Sequence, residues 1–257
     1  MRPGVAEVAF TDWDASVAEA LGAVGVGEEL ARLGAGDRVL LKPNLVNASP
    51  PPVTTPAAFT AAVARWVRRR TDATITIAEG AGDAVRETPE LFAVHGYDAL
   101  ARDMGLELLD LNHAPTVIHR AEGCSVWPEM TLPAVLFDSF VVSLPVLKAH
   151  SLAVVTGAVK NMLGCAPPAE YGGGKGAWKK AAFHARMQAA TADLYRHRAP
   201  DLAVVDASVG LRDHHLGGPE CDPPLGRILA GRDAREVDRA GAALLGLDWK
   251  GIGHLRD

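Results

Sequence analysis

Cysteine is scarce in this sequence, and the few cysteines stand far apart. There are three, Cys124, Cys165 and Cys221, and none belongs to a CxxC pair. Disulfide frameworks and local metal knuckles need paired or closely spaced cysteines, and an autonomous iron-sulfur cluster normally needs four thiolates. The sequence therefore predicts no metal site of its own, and an iron-sulfur cluster would need ligands from a partner or a second subunit.

Long apolar runs and an excess of basic residues are also missing. No apolar run approaches the roughly 20 residues that cross a bilayer, and the first residues, MRPGVAEVAFTDWD, lack the apolar core of a signal peptide. The formal net charge is -5 at pH 7, and neither a Walker A loop nor a complete GxGxxG motif occurs. We expect a cytoplasmic protein with no membrane or nucleic-acid partner, and the oligomeric state stays open.

Apolar segments bounded by turn residues alternate with segments of helical period. The predicted strands are RVLLKPNLV, ATITIAEG, LELLDLN, SFVVSLPVL, LAVVDAS and GRILAG. The predicted helices span residues 14–33, 56–70, 88–104, 152–163, 178–197 and 233–245. This alternation is typical of an α/β fold with a largely parallel sheet flanked by helices. We expect a single α/β domain over residues 1–257.

Two segments depart from that alternation. TVIHRAEGCSVWPEMTLPAVLFD mixes β-branched residues with prolines and predicts a small β-hairpin flap, with a subdivision near residues 113–138 left open. CAPPAEYGGGKGAWKK contains two adjacent prolines and three consecutive glycines, which exclude a continuous helix or a central strand. Long loops in compact domains are often lids. We expect this loop to bring Lys175 or Trp178 toward a ligand.

Polar side chains follow the predicted strands where each strand ends. They include Lys42, Asn44, Glu79, Asp110, Asn112, Lys148, His150 and Asp206. In open α/β sheets, ligands bind beyond the carboxyl ends of the strands, so these residues are candidates for one site. The asparagines and aspartates could equally cap helices or bend turns, where such residues are common.

The lysines carry more information than the asparagines. A lysine at a buried strand end is costly unless it is paired, neutralised or in contact with an anion, which favours a site role for Lys42 and Lys148. Lys160 lies in the helical pattern VVTGAVKNMLG, where it could also belong to a solvated face. Clustered lysines attract a carboxylate, a phosphate or an enolate. They also lower one another's pKa, so that one could act as a base or a Schiff-base amine.

These segments resemble a known family. VLLKPNLV, ITIAEG, LELLDLN, DSFVVSLPVLKAH, VTGAVKNMLG, His184, LAVVDA and LAGRDAREVDRAGAALLGLD resemble, in that order, the domain-of-unknown-function family 362. Many members of the family carry a cysteine-rich ferredoxin module and are described as iron-sulfur proteins. This chain lacks that module.

A second resemblance is to the nickel-pincer lactate racemase family. It lies in a histidine after a strand, a glycine-containing turn and a lysine ten positions later, which here are His150 and Lys160, with His184 as a possible third residue. The resemblance implies that the lysine holds the cofactor and that the histidines are metal ligands or acid/base groups.

We therefore predict an enzyme that carries out cofactor-free proton transfer, of isomerase, lyase or cyclase type, on a small anionic or carboxylated molecule. The catalytic residues are Lys148, His150, Lys160 and His184. The substrate-binding residues are Lys42, Asn44, Glu79, Asn161 and Asp206. One alternative is a redox accessory protein whose iron-sulfur cluster is completed by a partner, and another is a racemase-like enzyme with a lysine-linked nickel cofactor. The adjacent histidines in DHHLGG (213–218) are expected to lie in a loop rather than to bind metal.

Overall fold

The computed structural model describes residues 4–256. Its strands are β1 (Val5–Ala9), β2 (Arg38–Pro43), β3 (Thr74–Glu79), β4 (Glu107–Asp110), β5 (Thr116–Arg120), β6 (Glu129–Pro133), β7 (Phe140–Leu144), β8 (Val146–His150), β9 (Val154–Thr156), β10 (Leu202–Leu211) and β11 (Arg227–Gly231). The α-helices are α1 (Trp13–Val24), α2 (Gly27–Leu30), α3 (Ala57–Arg68), α4 (Thr88–Val94), α5 (Tyr97–Met104), α6 (Ala158–Asn161), α7 (Pro168–Tyr171), α8 (Met187–His197) and α9 (Ala234–Leu244).

The main sheet is mixed and mostly parallel, and helices flank it. Its strand order is β1-β11-β10-β7-β2-β3-β4. The strands from β10 to β4 run parallel, whereas β11 pairs antiparallel with both β1 and β10. The central strands β2, β3 and β7 are buried along nearly their whole length, as expected for parallel strands covered on both faces. The predicted α/β fold is confirmed.

The segment SFVVSLPVL forms two strands rather than one. Pro145 separates β7 from β8, and a proline cannot donate to a sheet ladder. β7 stays beside β2 and β10, whereas β8 pairs with β10 and, in antiparallel fashion, with the short β9. The switch carries the end of β8 away from the central strands and positions Lys148 and His150 over the carboxyl edge of the sheet.

The helix predicted over residues 152–163 is wrong in its first half. Val154, Val155 and Thr156 form β9, and the helix α6 begins only at Ala158. Gly157 is extended, with φ -143° and ψ -151°, so the chain cannot continue in a helix through that point. The α-helix predicted over 178–197 likewise begins late, since residues 181–186 form a 3₁₀ turn before α8.

The hairpin flap predicted from TVIHRAEGCSVWPEMTLPAVLFD is present. β5 and β6 pair antiparallel as a separate two-stranded sheet, within the segment where a subdivision was left open. Besides β9, strand β1 was not predicted, although its sequence VAEVA alternates buried and exposed residues after the first pair. Within residues 4–256, no helix combines the length and the apolar character needed to cross a membrane.

Candidate active site: a lysine-rich cavity at the carboxyl edge of the sheet

A cavity of about 260 Å³ lies where β2, β3 and β8 end. Parallel strands direct their carboxyl ends to one edge, which is where α/β sheets bind ligands. Loops from the second half of the chain close the cavity. Its charged, polar and aromatic lining residues are Lys42, Asn44, Glu79, Lys148, His150, Ser151, Thr156, Lys160, Asn161, Trp178, Lys180, His184 and His215.

The floor of the cavity is a buried ion pair between Lys42 and Glu79, whose side chains are 1% and 3% exposed. The Lys42 Nζ lies 3.0 and 3.1 Å from the two Glu79 oxygens. It also donates to the Pro43 carbonyl at 3.1 Å and to Asn161 Oδ1 at 3.3 Å. Glu79 in turn accepts from the backbone N–H groups of Leu45 and Gly80. The pair is therefore electrically balanced and fully hydrogen-bonded within the protein.

The backbone at Gly164 packs closely against this ion pair. A Cβ at Gly164 would overlap both the Glu79 carboxylate and the Lys42 amine. Glycine lacks that atom, which is why it is the usual residue where a backbone must approach another group closely. The sequence KNMLG thus supplies Asn161 as a partner of Lys42 and Gly164 as the space beside it.

Lys180 is a buried cation that the sequence did not single out. Its amine donates to Asn112 Oδ1 and to the Ala166 carbonyl, with the Gly164 carbonyl at 3.5 Å. Burial lowers the pKa of Lys180 to about 7. The lysine was predicted only as part of a lid loop, but its amine is fixed between two backbone carbonyls and an amide.

Lys148 and Lys160 are the cations with free donor capacity. Lys148 donates to the Val53 carbonyl at 2.6 Å, whereas within residues 4–256 the Lys160 amine has no hydrogen-bond partner. Burial, reinforced by the charge of Lys160, lowers the pKa of Lys148 to about 7. Burial and the charge of Lys42 lower the pKa of Lys160 to about 8. Both amines therefore titrate near neutral pH.

Lys160 is positioned by a carboxylate from a distant helix. Asp238 of α9 accepts hydrogen bonds from Ala158 N at 2.6 Å and Val159 N at 2.9 Å, the first N–H groups of α6. An isolated four-residue helix is unstable, because nucleation is costly. Asp238 is fully buried, and burial raises its pKa to about 7 against the opposing effect of the two N–H donors. A Cβ at Gly157 would overlap its carboxylate.

The tautomer of His150 is set by the turn that follows β8. Its Nδ1 accepts from Leu152 N at 3.0 Å and Ala153 N at 3.1 Å, so the proton of the neutral ring is on Nε2. The turn ends at Val154, whose φ of 69° is unusual for a β-branched residue. His150 stacks on His215, with ring centroids 3.5 Å apart and an angle of 10° between planes.

Both stacked rings are held neutral. Burial, then the charge of Lys160, lowers the pKa of His150 far below its usual range. The same two causes, in the same order, lower the pKa of His215 to about 3. His184 is exposed at the mouth, where burial and Lys160 also lower its pKa. A neutral His150 can donate a hydrogen bond from Nε2 but is not positioned as a cationic acid.

Two buried polar atoms of the lining have no hydrogen-bond partner among residues 4–256. They are the hydroxyl Oγ1 of Thr156 and Nδ1 of His215. Buried polar groups without partners are rare and often indicate a ligand or an ordered water. Together with the Lys160 amine, these atoms mark the part of the cavity where a ligand could form hydrogen bonds with the protein.

The structure brings together most of the residues predicted for the site. Those that line the cavity are Lys42, Asn44, Glu79, Lys148, His150, Lys160, Asn161 and His184. Asp206 does not line it, because β10 continues past Ser208 to Leu211 and places Asp206 inside the strand rather than at its end. Its carboxylate accepts from the Ser208 N–H and hydroxyl.

The lid loop contributes through one of its two predicted residues. Trp178 lines the cavity, whereas Lys175 is exposed and does not. His215, from the DHHLGG loop, was set aside in the sequence but lies against His150. Nothing in the sequence pairs residues 150 and 215, which are brought together only by the fold.

No protein-only metal site is present in the described part of the chain. Within residues 4–256, no three side chains of histidine, cysteine, aspartate or glutamate gather closely enough to hold a metal ion. The thiols lie in different places, with Cys124 beside His197 of α8 and Cys165 and Cys221 buried elsewhere. In the part of the chain that the structure describes, the three thiols therefore do not gather as ligands of one iron-sulfur cluster.

The reactivity of Lys160 tests this electrostatic description. In trace labelling with acetic anhydride, we expect acetylation of Lys160 to rise with pH around a midpoint near 8, because a lowered pKa leaves the reactive neutral amine at lower pH. Free Nα-acetyl-lysine in the same reaction, with a pKa of about 10.4, is the reference. Peptide mapping by mass spectrometry measures both. A Lys160 profile that follows the reference would contradict the lowered pKa.

Fold and cavity together define an α/β protein with a lysine-rich, ligand-sized site at the carboxyl edge of its sheet. The model of the family described as "Domain of unknown function (DUF362)" matches residues 39–243, so the chain belongs to that family. Comparison with the curated proteins gives no match.

Among solved structures, the chain is similar to the lactate racemase apoprotein from Thermoanaerobacterium thermosaccharolyticum. The TM-score is 0.51 and the sequence identity is 14%. The match covers 84% of this chain and 50% of that chain, so this chain spans half the length of the racemase. At this identity the likeness shows a shared fold. The resemblance to family 362 is confirmed by the family model, and the resemblance to lactate racemase is confirmed at the level of the fold.

The comparison corrects one prediction. Cofactor-free chemistry was expected, but the similar fold belongs to an apoprotein, which is by definition the protein part of a molecule that takes up a further group. This similarity therefore contradicts the expectation of cofactor-free chemistry. That expectation gave less weight to the His150 and Lys160 spacing, which resembles the lactate racemase family, than to the absence of familiar cofactor motifs.

Proposed function

We propose that the protein is an enzyme that transfers a proton on a small carboxylated molecule bound in this cavity, with the help of a cofactor held there. The reaction is of isomerase, lyase or cyclase type. The observation that carries the proposal is the pair Lys148 and Lys160. Their pKa values are lowered to about 7 and about 8, and both line one ligand-sized cavity.

The charges of the lining favour an anionic ligand. Four lysines line the cavity, and Glu79 is the one carboxylate among its lining residues. Glu79 is already paired with Lys42. The remaining positive charge in a partly desolvated site attracts a carboxylate and stabilises negative charge that develops during a reaction.

The side chains supply a proton acceptor and a hydrogen-bond donor. An amine that titrates near neutral pH is a suited general base, because it is unprotonated often enough to accept a proton and basic enough to hold it. Lys148 and Lys160 meet that condition as long as no carboxylate lies against them. His150, neutral and protonated on Nε2, can donate a hydrogen bond to an oxygen of the ligand, as its tautomer requires.

The residues also fit a cofactor that bears acidic groups. The Thr156 hydroxyl and His215 Nδ1 have no hydrogen-bond partner within residues 4–256. Together with the Lys160 amine, which also lines the cavity, they would hold such a group. A metal would have to arrive with ligands of its own, because these residues gather no three-ligand protein site. When bound, such a cofactor would supply an electrophilic centre, which these side chains lack.

A racemase-like reaction is the second candidate, favoured by the fold shared with the lactate racemase apoprotein. In it, Lys160 is the attachment point of a nickel-containing cofactor. A lysine whose pKa is lowered to about 8 is a better nucleophile at neutral pH than an ordinary lysine. His184, at the mouth of the cavity, would remain free for contact with the cofactor or the substrate.

Solvent exchange tests the proposal even while the substrate is unidentified. We expect the purified protein, incubated in D₂O with a pool of small carboxylic acids, to introduce deuterium at a carbon of at least one of them. Mass spectrometry and NMR detect the gain. Lys160→Met should abolish it, because the substitution keeps the length of the side chain and removes the amine. Lys175→Met, which alters an exposed lysine outside the cavity, is the matched control and should leave exchange unchanged.

Each outcome of that screen has a meaning. Absence of exchange in every acid, or exchange that survives both Lys148→Met and Lys160→Met, would refute the proton-transfer proposal. Inversion of a stereocentre without deuterium uptake, seen by chiral chromatography, would favour the second candidate. Native mass spectrometry and elemental analysis of the same preparation identify any bound group or metal.

A further inference from the structure

We propose that the cavity contains a carboxylate subsite formed by Lys148, Thr156 and Lys160, and that Lys42 and Lys180 do not contact the ligand. The inference rests on the proposed function in that it assumes an acidic ligand. It assigns the acidic group of that ligand to one side of the cavity. It follows from where each polar hydrogen has a partner and where it does not.

Lys42 has no donor left for a ligand. A lysine ammonium has three N–H groups. The Lys42 amine contacts both oxygens of Glu79, the Pro43 carbonyl and Asn161 Oδ1. A ligand at this amine would have to break the buried ion pair and leave Glu79 unpaired.

Lys180 is occupied in the same way. Its amine contacts Asn112 Oδ1 and the carbonyls of Ala166 and Gly164. These acceptors come from the chain itself, and two of them are backbone groups that have no freedom to turn away. Lys180 therefore fastens the loop that contains it to the 3₁₀ turn after α6 and does not reach out to a ligand.

On the β8–β9 side of the cavity, in contrast, the side chains have hydrogen-bond donors without partners. Lys148 is 1% exposed and uses one donor, on the Val53 carbonyl. Thr156 is 2% exposed, and its hydroxyl has no partner among residues 4–256. Unmet hydrogen-bonding capacity in so buried a place is costly unless a ligand or water meets it.

Strand pairing places these groups next to each other. Lys148 and Thr156 are cross-strand partners in the antiparallel β8–β9 pair. Directly opposed residues have Cβ atoms about 5 Å apart on one face of the sheet. Lys160 follows four residues after Thr156, on α6, and is close enough to lower the pKa of Lys148. The two oxygens of a carboxylate placed between the three side chains would accept hydrogen bonds from their free donors.

The other lining residues of the cavity indicate the chemistry of the rest of the ligand. Leu152, Leu216 and Trp178 line it as well, and Leu152 and Trp178 are 48% and 36% exposed. Apolar side chains exposed around a cavity are typical of ligand sites. The ligand class is therefore a small carboxylic acid with an apolar or aromatic body.

Binding of benzoate tests the subsite, with the neutral isostere benzamide as the matched ligand. By isothermal titration calorimetry we expect wild type to bind benzoate and not benzamide. Thr156→Val removes the hydroxyl and keeps the shape, and should weaken benzoate binding about tenfold or more, because a hydrogen bond to a charged group is lost. Lys160→Met should weaken it at least as much. Thr156→Ser, which restores the hydroxyl, and Lys175→Met should bind like wild type.

Proton uptake gives a second readout. A carboxylate beside Lys148 and Lys160 favours their charged forms and raises both pKa values. At pH 8 we therefore expect net uptake of protons on binding, measured as a difference in binding heat between Tris and phosphate buffers. Circular dichroism and melting curves establish that each variant is folded before its affinity is compared.

Several results would overturn the subsite. They are the absence of benzoate binding by wild type, equal binding of benzamide and benzoate, or equal affinity of wild type and Thr156→Val for benzoate. Benzoate binding of the expected pattern with no deuterium exchange in the D₂O screen would uphold the subsite and count against the proposed function. Native mass spectrometry separates two sources of the acid, since benzoate that displaces a co-purified group occupies a cofactor position, and benzoate that binds beside it occupies a substrate position.

Discussion

Glu79→Leu is expected to lower the free energy of unfolding by about 3–5 kcal/mol, which is the usual cost of removing one partner from a buried ion pair. The Lys42 amine, which is 1% exposed, would lose its counter-charge. The N–H groups of Leu45 and Gly80 would lose their acceptor as well. Urea or guanidinium unfolding curves at pH 7 measure the change.

The matched control is Glu107→Leu. Glu107 pairs with Arg38 on the neighbouring part of the same sheet, but its side chain is 58% exposed. Exposed pairs contribute about 0–1 kcal/mol. The double variant Lys42→Met/Glu79→Leu should recover part of the loss, because an apolar replacement of both partners removes the unpaired charge. If Glu79→Leu costs no more than Glu107→Leu, Glu79 is not the counter-ion on which Lys42 depends.

The location of the site could be predicted from the sequence because it depends on local rules. Parallel strands place their ends at one edge, so polar residues that follow apolar runs converge there. Lys42, Glu79 and Lys148 were found in that way. Asp206 failed by the same rule, because its strand runs on to Leu211 and the aspartate is not at an end.

The sequence could not predict which of the cavity lysines are paired within the protein and which have free donors. Lys42 and Lys148 look alike in sequence, each following three buried apolar residues, but one is paired with Glu79 and the other only with the Val53 carbonyl. The difference depends on contacts made by residues far along the chain. Lys180 was missed for the same reason, since its partner Asn112 is 68 residues away.

The short segment that contains Lys160 shows how local preference is overridden. VVTGAVKNMLG has an apolar period that predicts one helix, but its first residues pair with β8 as a strand. Strand pairing and a buried cap from α9 determine the outcome, and neither is visible in a window of eleven residues. Propensity is a weak guide in such a segment.

Asp238→Ala is the second substitution from which we expect a large effect, a loss of about 2–5 kcal/mol in the free energy of unfolding. Ala158 and Val159 would each be left with a buried N–H group without an acceptor, and such a group costs about 1–3 kcal/mol. The Asp238 carboxylate occupies the space that the missing Cβ of Gly157 leaves, so the two residues fit together at the start of α6.

Asp233→Ala is the matched control on the same helix. Asp233 also accepts from two successive N–H groups, those of Arg235 and Glu236, but it is exposed at the start of α9. Water can replace an exposed cap, so the cost is about 1 kcal/mol. Equal losses for the two variants would show that burial of the Asp238 cap is not what makes it important.

A purely structural role for Asp238 predicts lower stability and nothing else, whereas a positioning role predicts a change at Lys160. Asp238→Asn keeps one acceptor oxygen and loses the second. In the folded variant, α6 should therefore remain but be capped by fewer hydrogen bonds. We expect acetylation of Lys160 in this variant to move toward the profile of free Nα-acetyl-lysine, because a lysine that is less firmly held is better solvated and regains an ordinary pKa. An unchanged Lys160 profile in folded Asp238→Asn would restrict Asp238 to stability, and would show that burial and the charge of Lys42 lower the pKa of Lys160 without help from Asp238.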